Sequence, residues 1–260
     1  MYYPTSYWFT KEGIEEYLKE KQKEYSVTSK LLNSYKLTIV DSNLGSKSEF
    51  PIEYEIEVAK KYNIITEIIN NNSKCERDSL GYEDLEGLSK YWKNIQAIDP
   101  DKALWPCTAR GIYDHAVWVA NREEKSLEGK TALIIGRSDL VGRPIAQMFE
   151  RLQNMTVIQC HSYTPYEEIT SLLWHADIVV CDMNKPNFLT GSRFNFGTYI
   201  YDAGLNPTEN GFVGDISSVD SEYITPVPDG VGRLTVHALM HNTIDWYLNK
   251  EYYETHYGKS

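Results

Sequence analysis

The sequence lacks the features that mark several large classes of protein. Its four cysteines, Cys75, Cys107, Cys160 and Cys181, form no C-x-x-C pair, which argues against a zinc site and a disulfide framework. No apolar run approaches the roughly 18 residues of a membrane-spanning helix. The N-terminus has no basic stretch followed by an apolar one, as a secretory signal has. A soluble, cytoplasmic protein is therefore expected, with no bound metal and no membrane partner.

Positive charge is also scarce. Against 37 Asp and Glu the 260-residue chain carries 26 Lys and Arg, which gives a formal net charge of -11. Binding to a phosphate backbone requires clustered Lys and Arg. The composition therefore predicts no nucleic-acid partner, and the acidic excess is attributed to solubility.

Strand and helix patterns alternate in the first part of the chain. Buried strands are predicted at Lys36–Asp41 and Ile64–Ile69, and a helix between them is predicted to stop at Asn63. Further predictions are an extended arm at Met1–Phe9, a helix at Lys11–Tyr25, a mobile loop at Asn70–Gly81 and a helix marked by Leu85, Leu88, Tyr91 and Ile95. This alternation predicts a three-layer α/β domain.

The second part alternates at shorter intervals. Strands are predicted at Thr131–Ile135, Thr156–Cys160, Ile178–Cys181 and Tyr199–Asp202, and a last helix runs from Leu234 to about Lys250. Thr108 is predicted to cap a helix, and Thr164–Glu167 reads as a capping box with proline at the first helical position. The pattern predicts a parallel sheet with helices on both faces, the Rossmann arrangement. We therefore predict a substrate-side domain at 1–122, completed by the C-terminal helix 236–260, and an NAD(P)-binding domain at 123–235.

The segment Gly129–Pro144 leads from an apolar strand through glycines into a helix. Gly136 ends the strand, and Gly142 precedes residues at helical spacing. Such a turn offers backbone N–H groups and a positive helix dipole to a phosphate. Arg137 stands where the usual fingerprint has its second glycine, which weakens the fingerprint but supplies a guanidinium that can pair with a phosphate.

The second predicted strand of this half, Thr156–Cys160, is followed by no acid. An NAD site usually has Asp or Glu there to accept from the ribose 2′-hydroxyl. Arg137, His161 and Ser162 can instead donate to a 2′-phosphate, so NADP is preferred over NAD. The alternative is that Arg137 is a solvated turn residue and His161 a purely structural one.

Four segments resemble one family, the methylenetetrahydrofolate dehydrogenase/cyclohydrolase (FolD-like) family. They are Pro106–Gly111 (P-C-T-A-R-G), Gly129–Pro144, Ala176–Asp215 with its blocks Lys185–Phe188 and Tyr201–Asn206, and Thr225–Thr235 (T-P-V-P-D-G-V-G-R-L-T). Together they cover roughly Leu104 to Trp246, with a weaker echo at Lys36–Ile64. Four long motifs in the right order make the resemblance highly specific.

The resemblance implies two domains with the active site in the cleft between them. It implies oxidation of 5,10-methylenetetrahydrofolate by hydride transfer to NADP, hydrolysis of the methenyl product, and a homodimer formed through the cofactor domain. The cofactor-binding positions that the resemblance carries over are Gly136, Arg137, Ser138, Ser162, the backbone at Leu205, and Thr235. Val141 and Gly142, from the glycine turn, and His161, from the charge argument, complete the predicted cofactor site. The loop that meets the folate is Pro228, Asp229, Gly230, Val231 and Gly232.

The chain departs from the family mainly on the substrate side. The tyrosine and lysine of the family's Y-x-x-x-K helix fall at Pro51 and Glu55, and its V-Q-L-P-L-P and D-G-F-H-P segments are not found between Ile69 and Trp105. Asp229 replaces a glycine and Arg233 a proline. A carboxylate at position 55 cannot supply a proton at neutral pH unless its pKa is far raised, so we expect cyclohydrolase activity to be lost.

Three hypotheses stay open at this point. They are an NADP-dependent methylenetetrahydrofolate dehydrogenase, a dehydrogenase acting on a non-folate small molecule, and a non-catalytic relative that keeps only the fold. His237 and His241, one helical turn apart, are interpreted as a coincidence of one helix face because no H-E-x-x-H motif accompanies them.

Overall fold

The computed structural model describes residues 4–29, 35–41, 52–70, 80–81 and 103–257. A 3₁₀ helix, Thr5–Phe9, comes first. The helices are α1 (Lys11–Ser29), α2 (Ile52–Lys61), α3 (Cys107–Arg122), α4 (Gly142–Gln153), α5 (Tyr166–Leu173), α6 (Val231–Leu248) and α7 (Lys250–Tyr257). The strands are β1 (Tyr35–Asp41), β2 (Ile64–Asn70), β3 (Leu80–Gly81), β4 (Thr131–Ile135), β5 (Thr156–Cys160), β6 (Ile178–Cys181), β7 (Leu189–Thr190), β8 (Tyr199–Asp202), β9 (Asn206–Thr208), β10 (Gly211–Val213) and β11 (Ile216–Ser217).

In the N-terminal part a parallel sheet forms in the order β2-β1-β3. The predicted strands and the stop at Asn63 are confirmed: Asn63 has φ 56, the left-handed conformation that ends helices. The extended arm at Met1–Phe9 is wrong for Thr5–Phe9. Its Trp8 and Phe9 are buried, and burying these rings favours a compact turn. The predicted helix at Leu85–Ile95 and residues 71–79 of the predicted mobile loop lie outside the described residues.

The second sheet confirms the predicted α/β class. Its order is β5-β4-β6-β8 and every pairing is parallel. Alternate residues cover the two faces: Ile134 and Val180 pack with α4, whereas Leu133 and Val179 pack with α5. Since β5 and β6 flank β4 on opposite sides, the strand order reverses there, and in such sheets ligands bind beyond the carboxyl ends of the strands.

Two predicted helix caps are wrong. α3 begins at Cys107 after Pro106, so Thr108 lies inside the first turn. α5 begins after Pro165, with no side-chain cap. The Thr164 hydroxyl accepts from the His161 N–H instead, at 3.0 Å. Proline fixes the backbone at both helix starts, and a threonine side chain is not required.

α3 and α6 connect the two sheets. A Cβ on Gly111 would lie 2.6 Å from the Leu234 carbonyl oxygen, so the two helices touch backbone to backbone. α6 also packs on Val58 and Tyr62 near the first sheet, whereas Trp8 packs with the second. The division into 1–122 with 236–260 and 123–235 stays a prediction. None of the described helices is long and apolar enough to cross a membrane.

Candidate nucleotide site and substrate loop

The glycine turn after β4 is required by close backbone contacts. Gly136 has φ 138, and a Cβ there would lie 2.4 Å from the carbonyl oxygen of Asp182. A Cβ on Gly142 would lie 2.5 Å from the carbonyl oxygen of Gly136. Glycine at these two positions therefore lets the start of α4 and the residue after β6 meet the end of β4.

Ser138 binds backbone N–H groups at the start of α4, ahead of the N-cap residue Val141. Its hydroxyl oxygen accepts from the N–H groups of Val141 and Gly142 at 3.0 and 3.3 Å, and its carbonyl accepts from the Arg143 N–H at 3.0 Å. The sequence analysis expected these N–H groups to be available to a phosphate, and this expectation is corrected. They donate instead to Ser138, four residues before the helix, in the way that N–H groups at a helix start donate to capping side chains.

Asp182 is a residue of this site that the sequence analysis passed over. It follows β6 directly, and its N–H donates to Ile135 O at 2.7 Å, which places it beside Gly136. Ser138 Oγ donates to Asp182 Oδ2 at 2.5 Å. Burial raises the pKa of Asp182 to about 6, although the Ser138 hydrogen bond acts to lower it. The sequence signal that could have revealed Asp182 is an acidic residue directly after β6, the third strand of this sheet along the chain. An NAD site usually has its acid after the second strand.

Arg137 is exposed and points toward an open cavity. The cavity, of about 880 Å³, is lined by Arg137, Arg143, Gln147, Glu150, Gln159 and His161, among others. Within the described part of the chain Arg137 has no carboxylate partner, whereas Arg143 lies 3.6 Å from Asp139. Arg137 Cζ lies 5.6 Å from the ring centre of Tyr163, a side chain that is 81% exposed. The turn is therefore open and offers a guanidinium to an anion.

The turn after β5 fixes the orientation of His161. Its Nδ1 accepts from the Tyr163 N–H at 3.2 Å, so a neutral ring carries its proton on Nε2. Ser162 follows in the sequence and is exposed. His161 and Arg137 border the same cavity, so the structure brings these two predicted cofactor residues together. The cavity border also includes the carboxylate residue Glu150, which the sequence argument did not anticipate.

The remaining predicted cofactor residues lie elsewhere in the second half. Leu205 is partly buried just before β9. Thr235, on α6, donates its hydroxyl to Val231 O at 2.9 Å and lies 3.2 Å from the Thr108 hydroxyl of α3. Thr235 is therefore held where α3 and α6 meet. Val141 is buried at the start of α4, where it packs with the core.

Ion pairs hold the predicted substrate loop. Asp229 has φ 79, a conformation that favours the glycine of the family pattern. Its carboxylate pairs with Lys11 at 2.7 Å and with Arg233 at 2.9 Å, and Arg233 also pairs with Glu15 at 2.7 Å. Partial burial acts to raise the pKa of Asp229, but hydrogen bonds from Lys11 and Arg233 lower it overall. α1 is thereby joined to this loop.

The loop itself is unevenly exposed. Pro228, which follows a cis peptide bond, is exposed, whereas Gly230 and Val231 are buried and Gly232 is partly buried. A Cβ on Gly230 would lie 2.2 Å from the Pro226 carbonyl oxygen, so glycine is required there by contact.

The helix that should carry the family's tyrosine and lysine is α2. Glu55 is only 4% exposed, and Pro51 lies outside the described residues. Tyr54, which the sequence analysis did not single out, lies near the substrate loop: burial raises its pKa, while Arg233 acts to lower it and Asp229 to raise it.

His237 and His241 share one partner. The Tyr62 hydroxyl lies 2.8 Å from His237 Nδ1 and 3.1 Å from His241 Nε2, and Tyr25 stacks on His241 at 4.0 Å. Burial, aided by His241, lowers the pKa of His237 to about 3. Both rings therefore serve α2–α6 packing as neutral groups. Among the described residues no cluster of three metal-ligating side chains occurs.

Comparison with known protein families gives a match that covers the second half of the chain. Residues 106–251 match the family described as tetrahydrofolate dehydrogenase/cyclohydrolase, NAD(P)-binding domain. The chain belongs to this family. Bifunctional protein FolD of Malacoplasma penetrans (strain HF-2) is 37% identical over 192 residues, which are 71% of this chain and 63% of the relative. The match thus spans less than two thirds of that relative.

Solved structures agree on the fold. The methylenetetrahydrofolate dehydrogenase-cyclohydrolase of Trypanosoma brucei, complexed with NADP and an inhibitor, has a TM-score of 0.67 and 20% identity over 91% of this chain and 96% of its own. The NAD-dependent 5,10-methylenetetrahydrofolate dehydrogenase of Saccharomyces cerevisiae has a TM-score of 0.59 and 15% identity over 93% of this chain and 96% of its own. The two-domain α/β architecture extends beyond the matched domain.

Proposed function

We propose that this chain is an NADP-dependent 5,10-methylenetetrahydrofolate dehydrogenase without cyclohydrolase activity. The observation that carries the proposal is Arg137, which is exposed, lines the cavity of about 880 Å³ together with His161, and has no ion-pair partner among the described residues. A 2′-phosphate requires such a cation. The described residues therefore fit the adenosine end of NADP.

The bound cofactor would supply the hydride acceptor. Around it, Arg137, His161 Nε2–H and Ser162 would bind the 2′-phosphate, and Thr235 would lie at the nicotinamide end. Hydride transfer needs the two carbons held close and aligned, and it does not require a protein acid or base. Hydride transfer is therefore compatible with an α2 that has Glu55 where the family pattern has lysine.

Loss of the cyclohydrolase is supported by Glu55. Where the family resemblance implies a lysine, this chain has a carboxyl group that is 4% exposed. An ionised carboxylate carries no proton to donate, and a side chain this deeply buried has little access to a substrate or to water.

The test is an assay of the purified chain with methylenetetrahydrofolate and either NADP or NAD. We expect reduced cofactor to accumulate faster with NADP than with NAD. We also expect the methenyltetrahydrofolate product to be hydrolysed no faster than it is without enzyme. Cofactor binding without reduction would contradict the proposal. Arg137→Ala should lose the preference for NADP. Arg122→Ala is its matched control, because Arg122, at the end of α3, contacts Glu20, Trp8 and Trp118 outside the proposed site.

A second candidate, a dehydrogenase acting on a non-folate substrate, is favoured by one observation. Asp229 and Arg233 place two charges where the family pattern has glycine and proline, and they pair with Lys11 and Glu15 of α1. A charged small molecule would complement these groups better than the uncharged pterin ring of a folate would. Calorimetric titration with tetrahydrofolate distinguishes the two candidates, since tight binding contradicts the second.

The family resemblance also supports a homodimer formed through the cofactor half. Light scattering of the purified chain tests it, and a mass near 30.0 kDa would contradict it.

A further inference from the structure

The glycine turn after β4 already contains an anion of its own. Asp182 lies beside Gly136, at the carboxyl end of β6 and at the point where the strand order reverses. In sheets of this kind that edge is where a dinucleotide crosses. The Asp182 side chain is 9% exposed and its Oδ2 accepts from Ser138 Oγ at 2.5 Å. A carboxylate therefore stands at the place where a phosphate would be expected.

The hydrogen-bonding capacity of this turn is also in use. The single proton of Ser138 Oγ goes to Asp182, and its oxygen accepts from the N–H groups of Val141 and Gly142. A hydroxyl has one donor and two acceptor positions, so Ser138 is saturated. It can donate to a cofactor only by giving up Asp182.

The Asp182 carboxylate is repelled by Asp215 and has little to offset its charge. The second oxygen of Asp182 lies 3.5 Å from Asn184 Nδ2. Burial is the main cause of the raised pKa of Asp182, and repulsion by Asp215 raises it further. In the described residues no Lys or Arg pairs with it. The helix dipole of α4 and the Ser138 hydroxyl are what stabilise the charge.

We propose that the Ser138–Asp182 pair is an internal competitor of the cofactor diphosphate, and that Asp182 limits how tightly this chain binds a nicotinamide dinucleotide. The inference rests on the nucleotide-binding part of the proposed function. A diphosphate entering the turn brings negative charge next to a poorly solvated carboxylate, and the two repel. Affinity is thereby set by Asp182, and the 2′-phosphate contact at Arg137 is independent of it.

The experiment is a fluorescence titration of the full chain with NADPH, compared between wild type and Asp182→Asn. Asparagine keeps an oxygen that accepts from Ser138 and removes the charge. We expect the variant to bind NADPH up to about tenfold more tightly at neutral pH, because a carboxyl group with a pKa of about 6 can take up a proton instead of bearing the full repulsion. Asp220→Asn, which removes an exposed carboxylate after β11, is the charge-matched control and should bind as wild type does.

A second ligand locates the effect. Adenosine 2′-monophosphate has the phosphate for Arg137 but no diphosphate, so Asp182→Asn should bind it as wild type does. Thermal unfolding without ligand shows whether the variant folds, and Asp182→Ser provides a second uncharged side chain if it does not.

Three results would overturn the inference. Weaker NADPH binding by Asp182→Asn would identify Asp182 as a ligand of the cofactor, for example of a ribose hydroxyl. Unchanged binding would make it purely structural, and absence of binding in both proteins would remove the nucleotide site itself. If binding changes as expected but methylenetetrahydrofolate is not oxidised, the folate part of the proposed function fails and this inference stands.

Discussion

The glycine turn after β4 and the Asp229 corner of the predicted substrate loop are held in place by different means. At the turn after β4, glycines meet carbonyl oxygens, and any side chain there collides with the backbone. At the substrate loop, Asp229 keeps a left-handed conformation and is fixed by Lys11 and Arg233. Backbone shape tolerates little change, whereas ion pairs near the surface are individually weak. The ion pairs of Asp229 can therefore be altered at lower cost than the glycine contacts, one of which also occurs in the predicted substrate loop at Gly230.

The largest effect is expected from Gly136→Ala. The new Cβ would lie 2.4 Å from Asp182 O at φ 138, so overpacking and backbone strain together should cost about 3 kcal/mol or more. Gly191→Ala is the control, because Gly191 has φ 64 but nothing within 4 Å of a Cβ. Its cost should be about 1 kcal/mol. Urea denaturation measures both, and equal losses would show that steric contact does not control the turn.

The next effect concerns His115 on α3, which packs between the halves. Burial lowers its pKa to about 4, although a hydrogen bond to Trp8 O acts to raise it. The unfolded state takes up this proton below about pH 6.5 and the folded state does not, so stability falls as the pH drops from about 6.5 to about 4, by at most about 3 kcal/mol.

The measurement is the difference in unfolding free energy between wild type and His115→Gln across that range. The difference is needed because burial raises the pKa values of Asp182 and Asp202 to about 6. Those groups bind protons in the folded state first and so add stability as the pH falls. Parallel curves for the two proteins would contradict the assignment to His115.

A smaller effect, on cofactor choice, is expected from Arg137→Ala. Losing the guanidinium should weaken NADP binding by about tenfold or more and leave NAD binding nearly unchanged, since only NADP has the 2′-phosphate. Arg143→Ala, on the same cavity, is the matched comparison and should have the smaller effect because Asp139 already pairs with Arg143. Equal weakening for both dinucleotides would place Arg137 elsewhere on the cofactor.

The smallest effect is expected in the substrate half. Lys11→Ala removes an exposed ion pair to Asp229 and should cost about 0.5 kcal/mol. Asp229→Gly should change stability by less than about 1 kcal/mol, because relief of the left-handed strain offsets the lost pairs. Lys21→Ala, which breaks an exposed pair with Glu24 within α1, is the control for urea denaturation. A loss above about 2 kcal/mol for Lys11→Ala would contradict the comparison.

Much of the nucleotide half could be predicted locally. The strand Thr131–Ile135, the glycine turn and the strand Thr156–Cys160 were placed correctly because apolar runs and glycines act on neighbouring residues. The cap at Thr108 and the capping box at Thr164 were wrong because a preceding proline replaced the side-chain cap. Glu55 could be located by counting from Ala59, but its burial could not, since burial depends on what α2 packs against.

Local sequence patterns were sufficient to predict the family, the strands of the parallel sheets and the cation at the turn, since strand and helix periodicity and the family's motifs all lie within short segments. Which side chains meet depends on how distant segments pack in the folded chain. Ser138 and Asp182 are 44 residues apart, and Lys11 and Asp229 are 218 apart. The order of strands brings the first pair together, and the docking of α1 against the loop before α6 brings the second. A long-range contact of this kind depends on topology, and no local pattern encodes it.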